Sequence, residues 1–185
     1  MPSPLAHATI GLATHSLLRR NESILAEWKT LLYAVLLANL PDIDVIVGLV
    51  VHGNGNAFHR GPTHSLLFAL LISLVISNLW RRWSVVPRVS FLWCFLLILS
   101  HILADAVFTS SPVSLLWPLE VNWSAGYSGW TDVVRSVYWG AFRDAAIIFG
   151  FGLLLVINRL FRYRVMPYLA HKPIRTESVA TSKRK

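Results

Sequence analysis

Seven ionisable side chains stand inside or at the edges of apolar stretches of this 185-residue chain, where a charge is costly. They are histidines and aspartates, namely His7, Asp42, Asp44, His59, His64, His101 and Asp105. Imidazole nitrogens and carboxylate oxygens together suit zinc, manganese or iron better than calcium or copper(I). The set therefore predicts a divalent metal site, zinc above all, with one ion and its supporting residues or with two ions.

The spacing of these residues supports a shared site. His101 and Asp105 are four residues apart, which places both on one face of a helix. Pro41 in "LPDID" removes an amide donor within an apolar run and should break the helix there. On irregular backbone Asp42 and Asp44 can point the same way, and broken helices occur at membrane depth where they line a site.

The segment "HRGPTHS", residues 59–65, has the composition of a helix start. Gly61 suits the N-cap and Pro62 the first helical position, with His59 and His64 on either side. Free amides and the positive end of the helix dipole favour an anion there. Arg60 is expected to add a bidentate contact to a phosphate or carboxylate.

The elements that must position these residues are long apolar blocks. Hydrophobic residues make up 55% of the chain and charged residues 14%, too little charge for the surface of a soluble domain. The apolar Pro4–Leu18 segment would be only about 22 Å long as a helix. Four further blocks approach or reach the roughly 20 residues that cross a bilayer core: Leu31–Val51, Ser65–Trp80, Val89–Phe108 and Ala145–Phe161. We therefore expect an all-α integral membrane helical bundle with four full spans plus a short N-terminal membrane helix.

The basic residues predict the orientation in the membrane. The net charge is +8, but Lys and Arg flank the apolar blocks or lie in the tail, and no basic face is interleaved with aromatic residues. This pattern indicates contacts with membrane lipids and argues against nucleic-acid binding. The loop 81–88 and the segment after Phe161 carry most of the positive charge, so both are expected in the cytoplasm. A single membrane-embedded domain, 1–170, is expected to precede a disordered basic cytoplasmic tail, 171–185.

Three polar clusters fall at one predicted depth. Counted from the nearest cytoplasmic charge, His7 is 12 residues away, and Asp42 and His101 are each 13 residues away. In upright helices these separations are about 18–20 Å, and His64 lies about 25 Å from its own charge. The clusters therefore converge in the outer half of the bilayer. This favours a site that opens to the outer side and an inserted first helix that brings His7 to it.

Ordinary alternatives exist for each residue taken alone. His101 with Asp105, and His59 with His64, are each compatible with simple interhelical contacts. The remaining histidines are assigned to packing, a solvated loop and the tail: His15, His52 and His171. The "LLWPLE" segment, 115–120, is interpreted as a loop or amphipathic element that caps the outer surface.

The order of these motifs resembles the YdjM-type inner-membrane proteins, described as LexA-regulated, membrane-bound, metal-dependent hydrolases. The resemblance rests on an early histidine followed by "LPDID", "HRGPTHS", "SHILADAV" and "SLLWP", and it covers roughly His7 to Pro118. It implies a multi-pass protein of the bacterial inner membrane, with a role in the DNA damage response. It also implies that the seven His and Asp residues are metal ligands or their partners. The chain departs from the pattern in "VFTSSPVSLLWP", which has no glycine near Pro112.

The predicted function is metal-dependent hydrolysis of an ester or phosphoester in a lipid or periplasmic substrate, amphiphilic or small and anionic. The His/Asp pattern is similar to that of zinc-dependent phospholipase C enzymes, which favours a phosphoester. Asp44 or Asp105 would orient or deprotonate the attacking water, and Arg60 would hold the anion. A metal or proton transporter and a stress-response membrane scaffold are the alternatives that use the same cluster. A transporter needs a polar path to the cytoplasm, whereas "LLYAVLLAN" and "SFLWCFLLILS" carry almost no titratable group.

Overall fold

The computed structural model describes residues 2–18, 28–109, 112–119 and 130–162. The helices are α1 (Pro4–Leu18), α2 (Trp28–Asn39), α3 (Ile43–His52), α4 (Leu66–Leu79), α5 (Phe91–Phe108) and α6 (Trp130–Leu160), with 3-10 turns at Leu40–Asp42 and Pro62–His64. These ranges contain no β-sheet, so the all-α prediction is confirmed. The predicted tail, 171–185, lies outside the described residues.

Three described stretches are long and apolar enough to cross a bilayer: Trp28–His52, Phe91–Phe108 and Gly140–Leu160. The first of them joins α2, a 3-10 turn and α3. α4 is apolar but has only 14 residues, about 21 Å of helix, whereas the hydrocarbon core is about 30 Å thick. The described residues therefore contain three candidate spans where four full spans were expected, and the predicted block Ser65–Trp80 forms a shorter helix.

The first long stretch is interrupted where the sequence predicts it. α2 ends at Asn39, and the 3-10 turn Leu40–Asp42 contains Pro41 at its start. Proline has no amide hydrogen and its ring clashes with the preceding helical turn, so the α-helical ladder cannot continue through it. α3 then resumes at Ile43. The break leaves Asp42 and Asp44 at the junction of two helices inside one membrane-spanning stretch.

α5 lies at the centre of the bundle, in contact with α1, α2 and α4. Its Trp93, Cys94, Leu97, Ile98 and Ile102 form an apolar core with residues of α2 and α4, including Ala34, Leu37 and Ala69. Lipid tails are as apolar as these side chains, so close packing and dispersion hold the helices together. A side chain at Gly11 of α1 would overlap the Ala38 Cβ of α2. This glycine therefore permits the close approach of the two helices.

α6 lies at the edge of the bundle and runs parallel to α1. The Ser3 amide donates to Asp144 Oδ2 at 2.9 Å near the start of α1. Near its end, Asn158 Nδ2 donates to Ser16 Oγ at 2.8 Å. The two helices therefore advance in the same direction along their contact. This agrees with the relative directions predicted for an inserted first helix and the last span.

Candidate metal centre

Four segments converge on one buried cluster in the described part of the chain. α1 supplies one histidine, the break between α2 and α3 supplies two aspartates, the loop before α4 supplies two histidines and an arginine, and α5 supplies one histidine and one aspartate. All seven predicted ligands and the predicted anion-binding residue lie in contact with another member: His7, Asp42, Asp44, His59, Arg60, His64, His101 and Asp105.

Four of these residues form an inner group: Asp42, His64, His101 and Asp105. His64 Nε2 lies 3.3 Å from His101 Nε2, 3.4 Å from Asp105 Oδ2 and 3.6 Å from Asp42 Oδ1. His101 Nε2 lies 3.5 Å from the same Asp42 oxygen. Ligands at about 2.1 Å from a tetrahedrally bound ion are separated by about 3.4 Å. These four separations are close to that edge length.

The carboxylates of the inner group form no hydrogen bonds within the described residues. Both oxygens of Asp42 and both oxygens of Asp105 are buried and accept no hydrogen bond within the described residues. Asp105 is fully buried, and Asp42 is 14% exposed at its side chain. The nearest basic nitrogens, on His7, Arg60, His64 and His101, lie 3.4–3.6 Å from these oxygens. A buried carboxylate without hydrogen bonds is unfavourable. A cation between these oxygens would remove that cost, so the residues present fit a divalent metal ion.

Hydrogen bonds orient both imidazoles toward the inner group. His101 Nδ1 lies 2.7 Å from the Ala38 carbonyl oxygen, which can only accept, so Nδ1 carries the proton and Nε2 presents its lone pair. His64 Nδ1 lies 3.1 Å from Asp44 Oδ2, again on the side of the ring away from Nε2. Metal-binding histidines commonly use the second nitrogen in this way, on a carbonyl or a carboxylate.

Asp44 holds the loop that carries His64. Its Oδ1 lies 3.1 Å from His59 Nδ1. Its Oδ2 accepts from the Arg60 amide at 3.0 Å and from the Thr63 hydroxyl at 2.7 Å. Both oxygens are therefore engaged with the protein. A second donor group, Asp44, His59 and His64, is also compact enough for an ion, but the partners of Asp44 suit a positioning residue better.

His7 lies on the far side of Asp105. Its Nε2 is 3.4 Å from Asp105 Oδ1, and its ring stacks on His101 at a centroid distance of 3.8 Å. Both ring nitrogens are buried and form no hydrogen bond within the described residues. α1 therefore brings His7 to the cluster, at the edge of the inner group and in contact with two of its members.

Arg60 is held in an unusual conformation beside Asp105. Its φ is 66°, in the left-handed region that few residues other than glycine adopt, and its side chain is 8% exposed. Nε lies 3.4 Å from Asp105 Oδ2, and its carbonyl accepts the Ser114 amide at 3.2 Å. Backbone strain of this kind is found at functional sites. The guanidinium thus faces the inner group.

The predicted helix start at Gly61 and Pro62 is found, with Gly61 as the N-cap, but the helical turn is a short 3-10 turn separate from α4. Pro62 begins a 3-10 turn, and α4 begins at Leu66, with the Ser65 hydroxyl accepting the Phe68 amide at 3.1 Å. The Leu66 amide donates to the Leu115 carbonyl at 3.0 Å. Serine caps a helix better than glycine because its hydroxyl satisfies a free amide. The Leu66 and Phe68 amides at the start of α4 are therefore already bonded within the chain.

Protonation competes with metal binding at His64, which precedes α4. Burial of the imidazole disfavours its charged form, but the nearby carboxylates of Asp105, Asp42 and Asp44 outweigh burial and raise the pKa of His64 to about 10. A metal ion at Nε2 must therefore displace a proton.

Two contacts of the site were not assigned from the sequence. The Thr63 hydroxyl bonds to Asp44, and the Ala38 carbonyl orients His101. The sequence contained a signal for the carbonyl, because the break at Pro41 leaves the last carbonyls of α2 without helical donors. Of the histidines left out, His15 accepts from Trp93 Nε1 at 3.2 Å, and His52 packs on the Phe58 ring. His171 lies outside the described residues.

Comparison with known proteins identifies the family. The sequence model for "YdjM inner membrane protein" matches residues 1–169. The chain belongs to the YdjM family. A relative in Escherichia coli (strain K12), "Inner membrane protein YbcI", is 36% identical over 122 residues, which cover 64% of this chain and 68% of the relative. No solved structure matches the chain. The YdjM match includes every member of the cluster and extends past both ends of the predicted resemblance.

Proposed function

We propose that this YdjM-family protein is a membrane-bound, metal-dependent hydrolase that cleaves an ester or phosphoester. The inner group, Asp42, His64, His101 and Asp105, would hold one divalent ion. Zinc is favoured because two nitrogens and two oxygens at these separations suit a tetrahedral site, with manganese or iron as alternatives. When bound, such an ion supplies Lewis-acid polarisation of an ester or phosphoryl oxygen and eases the ionisation of water.

One observation carries the proposal. Two carboxylates with unsatisfied oxygens are buried against two histidines whose other nitrogens are bonded away from them. A cluster that served only to join helices would be expected to satisfy its own polar atoms, because unsatisfied buried groups destabilise a fold. The site instead has the donors and the spacing of a cation site, with buried carboxylate oxygens that form no hydrogen bond within the described residues.

Asp44 and Asp105 are the two candidates for the residue that orients or deprotonates the attacking water. Their contacts suggest different roles. Asp44 has partners on both oxygens, so we assign it to orienting His64. Asp105 keeps both oxygens free of hydrogen bonds and lies 3.4 Å from Arg60 Nε. We therefore assign Asp105 to the ion and to orienting water, and Arg60 to holding the anionic group of the substrate beside it.

The transporter alternative is disfavoured by the packing below the site. The space between the site and the opposite ends of α2 and α5 is filled by the apolar core, including Leu37, Trp93, Leu97 and Ile98. The buried His15 lies at the far end of α1 and is bonded to Trp93. A conducting path needs polar groups or water along its length, and the described side chains of this core are apolar.

We further propose that the site faces the periplasm, with the C-terminus in the cytoplasm and α4 as a fourth, short membrane-inserted helix. The positively charged 81–88 loop supports this orientation. Cysteine substitution at Ser3 and Ser182 tests it with a membrane-impermeant label. We expect labelling of Ser3→Cys from the periplasmic side, and labelling of Ser182→Cys only after the cytoplasmic face is opened.

Metal analysis and a substrate screen test the enzymatic proposal. We expect about one zinc, manganese or iron per purified chain, and hydrolysis of at least one phospholipid or phosphoester. His64→Ala should lose both, and Arg60→Ala should lose hydrolysis of anionic substrates while keeping the metal. A purified protein without stoichiometric metal, or activity that survives His64→Ala, would contradict the proposal. Stoichiometric metal without any hydrolysis would support the scaffold instead.

A further inference from the structure

A neighbouring arginine and aspartate on α6 contact the ends of two helices that carry cluster residues. Arg143 Nη2 lies 3.1 Å from Asp144 Oδ1. Asp144 Oδ2 accepts the Ser3 amide at 2.9 Å, where α1 begins. Arg143 Nη1 donates to the Phe108 carbonyl at 3.1 Å, where α5 ends. None of the described side chains of α6 belongs to either donor group, so an effect of this pair on the site must pass through α1 and α5.

The charges of the pair match the helix ends that they contact. A helix begins with free amides and a partial positive charge, and it ends with free carbonyls and a partial negative charge. α1 has no acidic residue in its first turn, and α5 has no basic residue in its last turn. The carboxylate of Asp144 and the guanidinium of Arg143 supply these charges from α6. The pair therefore stabilises the start of α1 beside the end of α5.

Asp144 takes the place of a capping residue that α1 lacks. Ser3 caps the helix, since its hydroxyl accepts the Ala6 amide at 3.3 Å. In a capping box, a carboxylate at the third helical position accepts the amide of the cap. That position is Ala6 here, which has no side-chain acceptor, and Asp144 accepts the Ser3 amide instead. The Ser3 carbonyl accepts the His7 amide at 3.1 Å, so two consecutive bonds join Asp144 to the backbone of His7.

Polar bonds of this kind set how far α1 is inserted relative to α5. The side chains that pack between α1, α5 and α6 are apolar and include Ala6, Ile10, Ala104 and Ile147. Lipid tails offer such side chains equivalent contacts, so apolar packing specifies the register less strictly than hydrogen bonds do. A shift by one helical residue is about 1.5 Å. His7 Nε2 lies 3.4 Å from Asp105 Oδ1, and a shift of that size would break the contact.

We propose that Asp144, held by Arg143, is a positioning residue of the candidate metal centre. It fixes the start of α1 so that His7 stays beside Asp105 and stacked on the His101 ring. The described contacts of Asp144 are with Ser3 and Arg143, so it acts through His7 and not on the ion. The effect on an ion rests on the proposed function, whereas the placement of His7 rests on bonds within the chain.

Chemical labelling tests the placement of His7 without an ion. His7 is 1% exposed, so diethyl pyrocarbonate should modify its imidazole slowly in chelator-treated protein in nanodiscs. Asp144→Ala should raise the labelling rate of His7 several-fold, because the first turn of α1 loses its anchor. Asp144→Asn keeps an oxygen for the Ser3 amide and should restore slow labelling. An unchanged rate in Asp144→Ala, or a rate in Asp144→Asn as high as in Asp144→Ala, overturns the proposal.

Asn158→Ala is the matched control on the same pair of helices. The Asn158 amide donates to the Ser16 hydroxyl at 2.8 Å and to the Ser16 carbonyl at 3.1 Å, at the other end of α1. Its loss removes a polar contact between α1 and α6 nine residues from His7. We expect slow labelling of His7 in this variant. A rise as large as in Asp144→Ala would show that any loosening of α1 exposes His7, which contradicts a specific role of Asp144.

A double-substitution cycle tests the effect on the ion. In competition with a chelator, Asp144→Ala should weaken zinc binding about tenfold, as the loss of an outer partner of a metal site does. His7→Ala should weaken it at least as much, and the double variant no further, because Asp144 acts through His7. Losses that multiply in the double variant overturn the proposal. If the wild type binds no zinc, the metal centre fails, while faster labelling of His7 in Asp144→Ala still supports its placement by Asp144.

Discussion

The imidazole of His64 and the carboxylate of Asp44 meet at 3.1 Å, on the side of the ring opposite to the inner group. Asp44 is itself held by His59, the Arg60 amide and Thr63. The pair therefore fixes which nitrogen of His64 faces the other donors. Asp44 is only two residues from Asp42, a proposed metal ligand. Its contacts nevertheless indicate that it orients His64 and does not itself bind the ion.

Substituting the two neighbouring aspartates should separate these roles. Asp44→Asn should weaken metal binding about 10- to 100-fold, the usual effect of removing a partner of a ligating histidine. Asp42→Asn removes a member of the inner group and should abolish stoichiometric binding. Competition with a chelator of known affinity measures both. Equal losses in the two variants would contradict the assignment of Asp44 to positioning.

The two buried histidines His101 and His15 provide a matched comparison. His101→Ala should lose the metal, because His101 Nε2 lies within 3.3–3.5 Å of two other donors. His15→Ala removes the acceptor of the Trp93 indole and should lower stability by about 1–3 kcal/mol with the metal content intact. Metal analysis together with thermal unfolding in detergent checks this. Metal loss in His15→Ala would show that metal binding depends on the packing of α1 and not specifically on the His101 imidazole.

Removing the ion should destabilise the protein. The proposed ion, bound to the folded chain at a thousand times its dissociation constant, would stabilise it by about 4 kcal/mol. We expect chelation to lower the unfolding temperature of the wild type and to have no effect on His64→Ala. An unfolding temperature of the wild type that is indifferent to chelation would argue against a resident ion.

Enlarging Gly11 should disturb the site from a distance. A side chain there would overlap Ala38, whose carbonyl orients His101. Gly11→Val should therefore cost about 1–3 kcal/mol of stability through overpacking and reduce metal affinity. Gly152→Val is the control, because a side chain at Gly152 has no neighbour within 4 Å. Unfolding and chelator competition on both variants provide the test, and equal behaviour of the two would refute the close α1–α2 contact.

Much of the site follows from local sequence rules, and the remainder depends on contacts between distant segments. Pro41 predicts the break that frees Asp42, and the four-residue spacing predicts that His101 and Asp105 share a face. The start of α4 was misplaced because Gly61–Pro62 and Ser65 are competing helix starts, and the Ser65 cap is formed together with a bond from Leu66 to Leu115.

The division of roles within the cluster also required the structure. Whether an aspartate binds an ion or a histidine depends on which neighbours satisfy its oxygens, and for Asp44 those neighbours lie 15 to 19 residues away. Likewise the contact of Arg60 with Asp105 joins residues on two different elements. Composition and spacing predicted which residues assemble, but not these pairings.

The parallel contact of α1 with α6 and the place of His7 beside Asp105 bear on how the protein is made. His7 leaves the ribosome almost a hundred residues before its partners His101 and Asp105. The cluster therefore cannot close until the fifth helix has entered the bilayer, and α1 gains its third neighbour, α6, only with the last helix. Metal uptake would thus mark the end of membrane insertion, and a chain stalled before α5 would remain without its ion.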